Sequence, residues 1–464
     1  MKIKMLITQS LIIILAVVLV GGLLLAGCKS KKAGNLPPES NVIHPPWSKN
    51  AVIYEVNVRQ YTPEGTFKAF EEHLPRLKEL GVDIIWLMPV HPIGEKNRKG
   101  SLGSYYSVQD YVAVNPEYGN MEDFKDLVNI AHSLGMYVIL DWVANHTAWD
   151  HAWIEDHPDW YTRDENGEMI APFDWTDVAE LDYDNEAMRL AMIEAMKFWV
   201  TEAYIDGYRC DVAGEVPVEF WDQARAELDK IKDVFMLAES EQVEHHENAF
   251  DMSYAWELHH LMNDVAKGKK NVKDIDEYFG KHDQKFPEDA YRMNFITNHD
   301  ENSWNGTEYE RMGDAVPAFA VLTYTWPGMP MIYTGQEAGF DRRLLFFDKD
   351  SVDWADYPLS EFYKKLGQLR KENPALRSGA GGGKMRRLKT PDNESVYAFI
   401  RKKGENIVLV LANLSDAPSD YTLNFKGKEK IMKDWFSGDT VQIISDEPMM
   451  LKAWEYRVFV GLDE

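Results

Sequence analysis

An eight-stranded (β/α)8 TIM barrel with an inserted segment after the third strand and a C-terminal antiparallel β domain is the fold that this sequence predicts. Three observations predict it. Eight apolar, strand-like runs alternate with segments of helical period between residues 51 and 375. A long stretch after the third run has no sustained period. From residue 381 onward the pattern changes to short, alternating, β-branched strands divided by turn residues.

The barrel strands are read from "AVIYEVNV", "VDIIWLMPV", "MYVILDWV", "DGYRCDV", "VFMLAES", "FDMSYAW", "YRMNFITN" and "MPMIYTG". Between the first two, "TFKAFEEHLPRLKEL" reads as one helix stopped by Gly81. "NMEDFKDLVNIAHSLG" reads as a helix with Asn120 as N-cap and Gly135 at its end. Helices also follow from "EAMRLAMIEAMKFWVTEAY", "EFWDQARAELDKI" and "LSEFYKKLGQLRKEN". The barrel is placed at 47–380, with the insertion at 146–185, and the C-terminal domain, read as a β-sandwich, at 381–464.

The N-terminus reads as a targeting segment. Lys2 and Lys4 precede an apolar run from Leu11 to Ala26, which is short of the roughly 20 residues that span a bilayer. "LAGC" resembles the lipobox of bacterial lipoproteins. The resemblance implies a signal peptide at 1–27, cleavage before Cys28, lipid on that cysteine, and a protein held in the bacterial cell envelope outside the cytoplasm. Residues 28–46 are Lys-, Pro-, Ser- and Asn-rich and read as a tether. Only Cys210 is then left, so no internal disulfide is expected.

Composition narrows the partners. The net charge is −26, and removing Lys2 and Lys4 with the leader takes it to −28. Such a surface repels nucleic acid and anionic lipid headgroups, so a neutral substrate fits better. The chain holds 15 Trp, 22 Tyr and 20 Phe, side chains that fill cores but also stack on sugar rings.

Function in a barrel sits at the C-terminal ends of the strands. Those ends hold Asp141, Asn145 and His146 after the third strand, Arg209 and Asp211 on the fourth, Glu239 on the fifth, and Asn298, His299 and Asp300 after the seventh. A strand alternates its faces, so Arg209 and Asp211 share one. A metal site is one reading of this cluster, but "NHDEN" and "DWVANH" lack the spacings of zinc motifs. Glycoside hydrolysis is the other, because it needs one ionised carboxylate and one that keeps its proton. Arg209 is expected to lower the pKa of Asp211, and the apolar "FMLAES" to keep Glu239 protonated.

Six motifs in order, "GSYYSVQDYVAVNPEYG", "DWVANH", "VAELDYDN", "GYRCDVA", "LAES" and "TNHD", resemble those of the α-amylase family of glycoside hydrolases. The resemblance implies Asp211 as nucleophile, Glu239 as general acid/base and Asp300 as transition-state stabiliser. It further implies that Tyr106 stacks on the sugar, that His146 and His299 bind its hydroxyls, and that Arg209 orients Asp211. Gly214 and Glu215 stand where many members have Lys-His, and this resembles the neopullulanase and cyclomaltodextrinase version. Asn145 and Glu180 match two of the family's structural calcium donors, whereas the usual histidine is replaced by Glu215. No cofactor is therefore expected to be required, and a structural calcium is expected at most. The implied activity is retaining cleavage of α-1,4-glucosidic bonds in maltooligosaccharides, starch-derived glucans or cyclodextrins. The alternatives are a transglycosylase on the same fold, or a non-catalytic glucan-binding protein, which three retained carboxylates disfavour.

Overall fold

The computed structural model describes residues 39–354, 357–425 and 427–461. The signal peptide, Cys28 and the first part of the tether lie outside the described residues. Eight parallel strands close a barrel in sequence order. They are β1 (Ile53–Val56), β2 (Ile84–Leu87), β3 (Tyr137–Trp142), β4 (Gly207–Cys210), β5 (Phe235–Ala238), β6 (Met252–Tyr254), β7 (Tyr291–Asn294) and β8 (Met329–Tyr333). Closure is made by β8 pairing with β1, with Ile53 opposite Met331. The runs are apolar on both faces because both faces are covered. Ile84, Ile139, Phe235, Leu237, Met293 and Met331 fill the barrel, while Ile85, Val138, Tyr208 and Met236 pack outward under the helices.

Tyr208 and Cys210 point outward, so Arg209 between them points into the barrel. Gly207 is required on the same strand. A Cβ there would stand 1.9 Å from the carbonyl oxygen of Phe235 on β5, so any side chain would force the two strands apart.

The expected single helix from Thr66 to Leu80 is two helices, Phe67–Glu71 and Leu74–Leu80. Pro75 lies in the first turn of the second, where its missing N–H costs nothing, but it cannot continue a preceding helix. Gly81 ends the pair at φ +100°. Asn120 caps Met121–Ser133 through a capping box with Asp123. The helices Glu186–Glu202, Val218–Leu228 and Ser360–Glu372 lie where the sequence pattern puts them, and Trp256–Ala266, Val272–Lys285 and Val316–Thr325 complete the crossovers.

The insertion is less irregular than its sequence. Its two ends are clipped together by an antiparallel ladder, His146–Ala148 against Val178–Glu180. The C-terminal domain is a six-stranded antiparallel sheet and a separate two-stranded one, Ser419–Tyr421 with Met449–Leu451. It forms one compact unit with the barrel. Buried Arg401 fastens the two by donating to the carbonyls of Trp326 (3.0 Å) and Arg377 (2.9 Å).

The last residues of the expected tether are docked rather than free. Asn41 N–H donates to the Glu247 carbonyl at 2.7 Å, and His44 Nδ1 lies 2.8 Å from Asp251 Oδ1. Asp251 immediately precedes β6, so this docking is at the N-terminal end of the barrel, opposite the strand ends that carry the site. Desolvation opposes the charge on His44, but Asp251 and Asp289 win and raise its pKa to about 9.

Candidate active site

The centre of the site is the guanidinium of Arg209, which is fully buried. Its Nη1 lies 2.8 Å from Asp141 Oδ1 and 3.0 Å from Asp211 Oδ1, and its Nη2 lies 2.7 Å from Glu239 Oε2. Three strands, β3, β4 and β5, thus place one carboxylate each around one cation. Isolated burial of such a charge would be prohibitive, and three partners offset it. Trp86 and Tyr254 hold the guanidinium at 5.1 and 5.6 Å from their ring centres. Trp86 also donates its indole N–H to Asp141 Oδ2 at 3.1 Å.

A second cluster joins the first from β1 and β7. His299 Nδ1 bonds Glu55, a fully buried acid on β1. Its Nε2 meets the Tyr106 hydroxyl at 2.8 Å and Asp300 Oδ2 at 3.3 Å. The Tyr106 hydroxyl is also 3.1 Å from Asp141 Oδ2, so the two clusters share a proton network. The Tyr106 ring lies nearly parallel to His299, with centroids 5.5 Å apart. Burial disfavours charge on His299, but Asp300 and Glu55 overcome it and push its pKa up to about 9.

The electrostatics differ from the sequence expectation in two respects. Arg209 does pull the Asp211 carboxyl down, but burial outweighs it, and Glu239, Asp141 and Asp300 add to the upward push. Nor is Glu239 surrounded by apolar groups alone, since Arg209 touches it as well. Asp141, Asp300 and Glu55 are likewise raised, chiefly by desolvation. Five carboxylates face two cations, and the excess cannot all ionise in a buried space. Burial and like-charge crowding thus push these carboxyls in the same direction, toward holding a proton.

Immediately after Asp211, Val212 adopts a left-handed conformation with φ +35°. Its N–H donates to Glu239 Oε2 at 2.9 Å. A β-branched residue there is strained.

These groups line a cleft of about 580 Å3 whose walls include His146, Trp175, Trp304, Phe346 and Phe347. Burial lowers the pKa of His146 to about 4, so its imidazole is neutral. The structure therefore brings Tyr106, His146, Arg209, Asp211, Glu239, His299 and Asp300 to one mouth. Sequence reading missed Glu55, Trp86 and Tyr254 behind the site, and Trp304, Phe346 and Phe347 at its edge.

Asn145 and Glu180 lie at the root of the insertion, where His146 pairs with Glu180 in the ladder. Glu180 is raised by burial and then by the like charges of Glu215 and Asp182. Among the described residues no three His, Cys, Asp or Glu side chains gather as a metal-binding group. No chemical step is routed through a metal there.

Comparison with known proteins places the fold. The model of the alpha amylase catalytic domain matches residues 47–178 and 156–356, and that of the maltogenic amylase C-terminal domain matches residues 386–459. Over 393 residues the chain is 28% identical to an α-amylase of Haloarcula japonica, covering 81% of this chain and 57% of that relative. It superposes at TM-score 0.82 and 29% identity on a maltogenic α-amylase from Thermotoga neapolitana, covering 89% of this chain and 99% of that one. An α-amylase from Lactobacillus plantarum gives a TM-score of 0.80, also at 29% identity, covering 89% of this chain and 99% of that one. With the catalytic-domain model spanning well over half of its length, the chain belongs to the α-amylase family of glycoside hydrolases.

Proposed function

We propose that the protein is a retaining hydrolase of α-1,4-glucosidic bonds in maltooligosaccharides, starch-derived glucans or cyclodextrins. The observation that carries this reading is the single Arg209 guanidinium in contact with both Asp211 and Glu239, carboxyls supplied by neighbouring strands at the barrel mouth. The sugar ring lies over Tyr106, with His146 and His299 on its hydroxyls. Asp211 attacks the anomeric carbon while Glu239 passes its proton to the departing glycosidic oxygen, leaving a glycosyl ester on Asp211. Glu239, now a carboxylate, takes a proton from water, and that water cleaves the ester and frees Asp211. Asp300 supplies negative charge beside the oxocarbenium-like transition state.

Arg209 is the positioning residue. It orients Asp211 and, by touching Glu239 and Asp141 as well, fixes three carboxyls in one frame. The roles of Val212 and Glu55 are of the same kind, one holding Glu239 and the other holding His299. Calcium, if bound near Asn145 and Glu180, is structural only.

The leader supports a lipid anchor. The mature chain is proposed to begin at Cys28, lipidated and held at the extracytoplasmic face of the bacterial envelope. Mass spectrometry of the N-terminal peptide tests this, and an unlipidated terminus at another residue would refute it.

A product time course on maltoheptaose, β-cyclodextrin, pullulan and soluble starch, read for chain length and anomer, tests the activity. Short products that first appear as the α-anomer are expected. Products longer than the substrate would assign transfer to a sugar acceptor, and no cleavage of any of the four would refute the reading.

A further inference from the structure

We propose that Trp304 is a stacking platform for a glucosyl ring one or two units away from the bond that is cut, and so sets the preference for chain length. The inference rests on the glucan-cleaving function above and names a residue that the six sequence motifs do not include.

Trp304 is 52% exposed while it lines the same cleft as Asp211, Glu239 and Asp300. Among the described residues no other tryptophan is so exposed. An aromatic ring left open inside a cleft presents apolar area that a ligand would cover.

The turn that carries the ring is also tied down. Glu301–Asn305 is a wide turn closed by Gly306 N–H donating to the Glu301 carbonyl at 2.9 Å, a helix type often found at functional sites. Asn302 accepts from Leu344 N–H at 2.8 Å, Ser303 Oγ donates to the Leu344 carbonyl at 3.1 Å, and Asn305 donates to Glu301 at 2.9 Å. The two bonds to Leu344 tie the turn to the loop after β8, and the Asn305 bond closes the turn on itself. That same loop backs Trp304 with Phe346 and Phe347, at centroid distances of 5.1 and 5.8 Å.

The direction of the platform follows from Tyr106. Phe346 lies 6.3 Å from Tyr106 with the rings 12° from parallel. Trp304 is thus two ring-to-ring steps beyond the tyrosine proposed to lie under the reacting sugar. A glucan chain is neutral and offers an apolar C–H face on each ring, which matches an uncharged aromatic surface at that spacing.

The test compares maltoheptaose, long enough to reach Trp304, with α-glucosyl fluoride, which has a single ring. Trp304→Ala is expected to lower kcat/KM on maltoheptaose by about 10-fold or more, mostly through KM, because burying an aromatic ring is worth at least that factor. The ratio of maltoheptaose to fluoride efficiency is expected to fall by a similar factor, and Trp304→Tyr to restore most of it. Equal losses on both substrates would make Trp304 a structural support and overturn the inference, as would an unchanged KM on maltoheptaose. Failure of the unmutated protein to cleave any α-glucan would instead refute the function on which the inference stands.

Discussion

The backbone N–H of Val212 donates a 2.9 Å hydrogen bond to Glu239 Oε2, and Val212 itself sits at φ +35°, ψ +46°. The residue after Asp211 thus combines a left-handed conformation with an amide that meets the second carboxyl. Such a conformation costs an L residue roughly 1–2 kcal/mol.

Val212→Gly keeps the N–H and removes the strain. A glycine elsewhere would loosen the unfolded chain and lose packing, at a similar cost of about 1 kcal/mol. The two effects offset each other, so calorimetry is expected to give a Tm within a few degrees of the parent. A large drop would show that the side chain, and not the backbone shape, is what this position needs.

Arg209 is expected to tolerate no replacement. Arg209→Lys offers one ammonium where a planar fork touches Asp141, Asp211 and Glu239. The change is expected to lower stability by about 3–5 kcal/mol, as for other broken buried pairs, and to cut kcat by several orders of magnitude. Urea unfolding and steady-state kinetics on the same samples check both.

The Glu55–His299 pair gives a pH signature. His299 has a folded pKa of about 9 against 6.5 for the free side chain. A raised pKa contributes stability that is fully present below pH 6.5 and is lost as pH rises through 9. Glu55→Gln removes one of the two acids responsible. Its loss of stability between pH 6.5 and 9 is expected to be shallower than the parent's, and the alkaline limb of its activity profile to move to lower pH. Identical pH profiles for the two proteins would contradict the pairing.

Calcium is expected to be dispensable for turnover. Prolonged chelation should leave kcat at moderate temperature within about twofold, a change of less than 0.5 kcal/mol in the barrier. A complete loss of activity that added calcium restores would show that Asn145 and Glu180 belong to a site the chemistry requires.

The sequence patterns carried the barrel because a strand buried on both faces reads as an apolar run, and these eight runs do. They carried the site for a related reason: Arg209 and Asp211 are charged residues in a run that is otherwise apolar. Glu55 in "IYEV" is the same signal, yet one acid without a visible partner gives no hint that His299, 244 positions away, is what it meets. Trp86 and Tyr254 were hidden because aromatic residues inside a strand read as core, which they also are. Val316–Thr325 is buried on nearly every side, so it shows no helical period at all. Trp304, Phe346 and Phe347 come from two segments that touch only in three dimensions. The docking of residues 41–44 was invisible for the same reason, since His44 finds Asp251 across 207 positions of chain.

The most direct test of the central claim is to trap the covalent intermediate. Glu239→Gln protein mixed with α-glucosyl fluoride, whose leaving group needs little protonation, should form the glycosyl ester and then hydrolyse it slowly for want of a base. Rapid quenching, proteolysis and mass spectrometry are expected to find one glucosyl group on the peptide containing Asp211, and none when Asp211→Asn is added. A glucosyl group on any other residue, or turnover by the double variant at an undiminished rate, would show that Asp211 is not the nucleophile.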